Sequence, residues 1–184
     1  MGPDNEGQGS MRGYFAIGVE GGSKLGNLGN LMRTAHGFGA SFVFTIGGEH
    51  FSGRYADTSK VELNVPLYRF ESMDDMLLPD RCQLVGVELT DDAIDLPSFT
   101  HPQQAAYIMG PERGSLSDDM IARCQHLIKI PTSFCLNQAT AGAVVMYDRI
   151  QTLGRWPARP VTPMGKPIPL PDHVGGGRVS RKAD

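Results

Sequence analysis

The chain has 184 residues, of which 40% are hydrophobic and 20% charged, and its formal net charge is −3. That length holds one domain with a full apolar core, and that charge excludes a uniformly basic nucleic-acid coat while leaving room for a local basic patch. No apolar run approaches the about 20 residues needed to cross a bilayer. The three cysteines, Cys82, Cys124 and Cys135, form neither a CxxC pair nor an even set, so no disulfide framework and no metal centre are expected.

Residues 1–12 read as a flexible lead-in with no apolar signal core, and with the free thiols this points to a reduced, cytoplasmic protein. Tyr14–Glu20 is an apolar run and the first strand. Asn27 offers a side-chain oxygen to cap a helix in which Leu28, Leu31, Met32, Ala35 and Phe38 recur at helical spacing, closed by Gly39. Residues 41–46 are rich in β-branched and aromatic side chains and form the next strand. Ser72 is placed to cap a short helix over 73–78. Residues 83–89 and 105–109 read as strands, Ser117 caps a helix to about Cys124, and 126–130 is a strand stopped by Pro131. A last helix runs from Asn137 to Leu153, with Ala139, Ala143, Val144, Tyr147 and Ile150 on one face. From residue 157 the chain is rich in Pro and Gly, and 157–184 reads as an extended or disordered tail, mildly basic at its end.

Strands alternating with helices predict an α/β domain over 13–156, a parallel sheet with helices on both faces. Ligands of such sheets bind beyond the C-terminal ends of the strands, here the loops after Val87, Met109 and Ile130. Three constellations lie at such strand ends. The first, 27–35, places Gly29, Asn30 and Arg33 at the start of a helix, where backbone N–H groups favour anions. Its glycines match neither the dinucleotide nor the phosphate-loop fingerprint, and a capped core helix with a surface arginine fits the residues equally well. The second, 109–117, runs from a buried strand through Gly110 and Pro111 to Glu112 and Arg113. Gly110 would let a flat ligand approach the backbone, and Glu112 could accept from ligand donors or orient its loop; an ordinary strand-to-helix connection stays open. The third, 130–137, joins polar backbone to an apolar rim before a helix of small residues, a setting that suits an adenine ring or plain close packing.

Taken together and in order, NLGNLMRTAHGFGA (27–40), YIMGPERGSLS (107–117) and IKIPTSFCLNQATAGAVVMYD (128–148) resemble the three motifs of the SPOUT RNA methyltransferases, in the SpoU/TrmH-like class that methylates ribose 2′-hydroxyls. The resemblance implies a deep C-terminal trefoil knot, which the strand–helix pattern alone would not give. It also implies S-adenosylmethionine as cofactor, S-adenosylhomocysteine as product, RNA as substrate with tRNA favoured over rRNA, and a homodimer. By position it makes Arg33 the catalytic arginine, with Asn30, Glu112 and Asn137 as further motif residues. Cofactor contacts fall around Val87, Gly110, Ile130, Cys135 and Leu136. Cys135 stands where the third motif has serine, a weaker hydrogen-bonding group there; a knotted RNA-binding protein that keeps the cofactor but not catalysis is the alternative this substitution opens. Lys24, Arg54, Lys60 and Arg69 could track RNA phosphates if they share a face.

Overall fold

The computed structural model describes residues 13–21, 25–48, 64–112, 114–160 and 162–169. The lead-in 1–12, the basic residues Lys24, Arg54 and Lys60, and the tail beyond 169 lie outside the described residues. The described chain falls into two units, one through Gly154 and one from Arg155 onward. The second has no helix or strand among its described residues. It carries a turn in which the Gly165 amide donates to the Thr162 carbonyl at 3.1 Å.

The first unit holds, in chain order, β1 (Tyr14–Glu20), α1 (Leu25–Gly37), β2 (Phe42–Ile46), β3 (Leu67–Phe70), β4 (Gln83–Val87), β5 (Ile94–Asp95), a 3-10 turn (Leu96–Ser98), β6 (Gln104–Met109), α2 (Asp118–Arg123), β7 (His126–Lys129) and α3 (Gln138–Leu153). Seven strands form one sheet in the order β3-β2-β1-β6-β4-β7-β5, every pair parallel. Burial on both faces explains why the central strands are nearly continuous apolar runs. Successive residues of β1 and β6 alternate between two cores. Phe15, Ile17, Val19, Tyr107 and Met109 face the core shared with α1 and α3. Ala16, Ala106 and Ile108 face Leu116 and Met120 of the α2 side. Helices thus cover both faces, as the alternation predicts.

Four expectations need correction. Asn27 does not cap α1, because the helix is already wound from Leu25 and Asn27 lies inside its first turn. No helix forms over 73–78. There the Asp75 carboxylate accepts from the Ser72 amide at 3.1 Å and from its hydroxyl at 2.6 Å, which closes a turn instead. Met73, Met76 and Leu78 still pack on the second core from that loop; six residues before Pro79 are too few to repay helix nucleation. The face of α3 is also rotated. Tyr147 is 54% exposed, and the buried face is Gln138, Ala139, Gly142, Val145, Met146 and Arg149. A glycine and an arginine lie on that face, so counting apolar residues misplaces it. Lastly, β3, β5 and the 3-10 turn are elements the pattern reading left out; they are two to four residues long.

Candidate functional site

Parallel register brings strand ends level: Val19 pairs with Met109, and Val87 with both Met109 and Ile128. The loops that leave β4, β6 and β7 therefore emerge side by side, and between them lies a cavity of about 230 Å3. Val87, Glu88 and Leu89 form one wall, Met109, Gly110, Pro111, Glu112 and Gly114 the second, and Lys129, Ile130, Thr132, Cys135 and Leu136 the third, with Gln138 and Ala141 of α3 completing it.

Each wall is held by specific contacts. A methyl group at Gly110 would sit 2.7 Å from the Leu116 amide nitrogen and 2.8 Å from the Ser115 carbonyl carbon, so only glycine fits. The loop's own backbone makes that close approach on one side, while Gly110 also lines the cavity. Ser117 accepts from the Met120 amide and caps α2. In the third wall the Thr132 hydroxyl donates to the Phe134 carbonyl at 2.8 Å and turns the chain back. Lys129 Nζ donates to the Thr90 carbonyl at 3.1 Å and so ties β7 to the loop after β4. Small residues bring α3 close: a methyl on Gly142 would fall 2.6 Å from Leu31 Cδ1 of α1.

Six of the predicted residues, Val87, Gly110, Glu112, Ile130, Cys135 and Leu136, line this one cavity. The other three do not. Asn137 caps α3, its Oδ1 accepting from the Ala139 amide at 3.0 Å and the Thr140 amide at 3.4 Å. Its Nδ2 donates to Asn27 Oδ1 at 3.2 Å, which joins the first turn of α1 to the start of α3. Asn30 and Arg33 are exposed on α1, one and two turns beyond that junction. Four polar lining residues were missed: Glu88, Lys129, Thr132 and Gln138. Glu88 had a legible signal, an acid directly after a buried strand on the ligand side of the sheet. Gln138 had a weaker one, the single amide in the small-residue start of α3.

The cavity offers carboxylates at Glu88 and Glu112, an ammonium at Lys129 and apolar side chains at Val87, Met109, Ile130 and Leu136. Such a set suits a ligand with a cationic part and a flat apolar part. Among the described residues no group of three or more His, Cys, Asp or Glu is placed to hold a metal ion. The described cysteines are free, and burial pushes the Cys124 thiol up to about 11, which keeps it protonated and inert. No described helix is long and apolar enough to cross a membrane.

No curated protein matches the chain. Among solved structures it is similar to the SpoU methyltransferase AviRb from Streptomyces viridochromogenes, with 22% identity, a TM-score of 0.65, and coverage of 75% of this chain and 59% of that one. It is also similar to an AdoMet-bound rRNA methyltransferase from Sinorhizobium meliloti, with 22% identity, a TM-score of 0.65, and coverage of 77% and 57%. A third similarity is to a structure concerned with the 2-OH methylation of C/U34 on tRNA, with 23% identity, a TM-score of 0.66, and coverage of 76% and 91%. At these identities the likeness is one of fold, and the chain spans under two thirds of the first two proteins. The family model of the SpoU rRNA methylases matches residues 15–147, from the first strand into the last helix. By that match, which takes in all three loops of the cavity, the chain belongs to the SpoU rRNA Methylase family.

Proposed function

We propose that the chain is an S-adenosylmethionine-dependent RNA methyltransferase acting on a ribose 2′-hydroxyl. The observation that carries this reading is the cavity at the C-terminal edge of the sheet, where the second and third motifs of a SpoU family member meet the loop after β4. When bound, S-adenosylmethionine supplies an activated sulfonium methyl and leaves as S-adenosylhomocysteine. Val87, Ile130 and Leu136 would hold the adenine by apolar contact, Gly110 and Cys135 by backbone, and Glu112 would face the cationic part.

The protein's remaining task is positioning and the handling of one proton. A guanidinium is a poor base, so Arg33 instead orients the ribose through the adjacent phosphate and stabilises the charge that develops on oxygen. Asn30 lies on the same helix and supports that contact. Asn137 fixes the start of α3 against Asn27, which sets the distance from α1 to the cavity. The hydroxyl proton leaves to solvent or to the phosphate as the new O–C bond forms.

We further propose tRNA rather than rRNA as substrate. In support, the chain covers 91% of the structure concerned with tRNA, against 57% of the rRNA methyltransferase from Sinorhizobium meliloti. The same reading carries a homodimer, for which exposed Tyr147 of α3, packed against Phe38 just past α1, offers an apolar surface. It carries the deep trefoil knot, supported by β4 lying between β6 and β7. It also carries one catalytic domain over 13–156 and a cytoplasmic location.

The test is transfer of labelled methyl from S-adenosylmethionine to tRNA and to rRNA, with the methylated position mapped. The expected product is a 2′-O-methylated tRNA nucleotide, and Arg33→Ala lowers the rate about 100-fold or more while S-adenosylhomocysteine still binds. A near-normal rate for Arg33→Lys sinks any role that needs the planar fork. Cofactor binding without methyl transfer to any RNA would favour the non-catalytic alternative that Cys135 opens.

A further inference from the structure

The loop after β6 is gripped by side chains from three other elements. Gln138 Nε2 donates to the Gly110 carbonyl at 2.6 Å. Glu88 Oε2 accepts from the Leu116 amide at 2.7 Å. The Glu20 carboxylate accepts from the next amide, Ser117, at 2.8 Å and from the Ser117 hydroxyl. Because β1 and β4 flank β6, Glu20 and Glu88 reach the loop from opposite sides and take consecutive amides.

Glu88 differs from Glu20 in two ways. It lines the cavity. Its second oxygen, Oε1, also accepts from the Leu89 amide at 2.9 Å. One carboxylate therefore joins two of the three cavity walls, the loop after β4 and the loop after β6. An ionised carboxylate suits this position because both its oxygens only accept; an amide would set an NH2 group against one of the two N–H donors. Bonds to ionised acceptors are also the stronger class.

We propose that Glu88 is a positioning residue for cofactor binding, fixing the spacing between the wall at Val87 and Leu89 and the wall at Gly110 and Glu112. The inference rests on the cofactor reading of this cavity. Glu20 is the built-in control, since it grips the same loop with the same chemistry but neither lines the cavity nor joins a second wall to it.

Calorimetry with S-adenosylhomocysteine on the full chain, with thermal melts alongside, compares wild type, Glu88→Gln and Glu20→Gln. Glu88→Gln is expected to weaken binding about tenfold or more, and Glu20→Gln by no more than about twofold, at similar losses in Tm. In turnover, Glu88→Gln raises KM for S-adenosylmethionine about tenfold and leaves kcat at saturating cofactor within about threefold. Glu88→Asp keeps both acceptors on a shorter stem and, should Glu88→Gln not fold, is read in its place, with a smaller loss of affinity expected. Equal loss of affinity in the Glu88 and Glu20 variants, tracking Tm, makes Glu88 a plain structural tie and overturns the proposal. So does wild-type affinity in Glu88→Gln. A wild-type chain that does not take S-adenosylhomocysteine instead fails the cofactor reading itself.

Discussion

Gly110→Ala isolates the geometry on which the cavity depends. The added methyl would lie 2.7 Å from the Leu116 nitrogen and 2.8 Å from the Ser115 carbonyl carbon, against about 3.4 Å for ordinary contact. Both neighbours are backbone, so no rotamer relieves the clash, and the loop must retreat by about 0.7 Å. The same Leu116 nitrogen is held at 2.7 Å by Glu88. A retreat along that bond stretches it to about 3.4 Å, past the useful range for N–H···O. Overpacking of this kind costs about 1–3 kcal/mol of stability. For a unit of this size that is a fall of about 2–10 °C in Tm. Losing a hydrogen bond to a charged acceptor costs about 1.5–3 kcal/mol of stability, and with that tie between two cavity walls cut, affinity for S-adenosylhomocysteine is expected to fall about tenfold, as for Glu88→Gln. Scanning calorimetry and isothermal titration measure the two quantities. A variant that melts within about 1 °C of wild type and binds within about twofold would refute the steric argument, since neither the overpacking cost nor the lost bond would then exist.

Arg149 lies on α3, is 1% exposed, and donates to the carbonyls of Pro102 at 2.6 Å, Gln103 at 2.8 Å and Tyr14 at 3.2 Å, and to the Tyr107 hydroxyl at 3.1 Å. Arg149→Ala strips these acceptors of their donor and is expected to cost about 3–5 kcal/mol, lowering Tm by about 10 °C in a calorimetric scan. Its guanidinium donation fixes a relay in which the Tyr107 hydroxyl donates to His101 Nδ1 and His101 Nε2–H donates to Asp148 at 2.9 Å. Burial pulls the His101 pKa below its usual 6.5, with Asp148 acting the other way, so the folded state favours neutral imidazole. The unfolded chain then binds the extra proton first, and this contribution to stability is complete above about pH 6.5 and lost as pH falls toward the folded value. Melting temperatures taken from about pH 7 down to pH 5 should fall more steeply for wild type than for His101→Gln; equal slopes would remove His101 from the account.

How far the sequence could be read depended on what kind of force fixes each element. β1 and β6 were legible because burial on both faces leaves an unbroken apolar run. α2 was legible because Ser117 supplies its cap in the expected geometry. The turn at 72–75 was misread because serine and aspartate there exchange roles: the acid accepts and the serine donates. The face of α3 was misread because Arg149 is buried by partners that come from β1, β6 and the residues before β6, up to 135 positions away. Five of the six predicted lining residues lie in the family motifs and Val87 at a strand end, while the acid at Glu88 was legible but its bond to Leu116, 28 positions away, was not.

The two ends of the sheet are held by opposite chemistry, and this bears on why the ligand side is where it is. At the N-terminal ends of β1 and β6, a buried cation donates to backbone carbonyls. At the C-terminal ends, Glu20 and Glu88 accept from backbone amides of the following loop. Those amides hold the loop together with the burial of Leu116 in the second core. Val87, Ile130 and Leu136 are half-buried at the cavity wall, the first two packed on the core below. Their remaining apolar surface is what a ligand would cover, at about 25 cal/mol per Å2 removed from water. Of the two acids only Glu88 joins two of those walls, so the bonds that hold the loop also fix the spacing across the site.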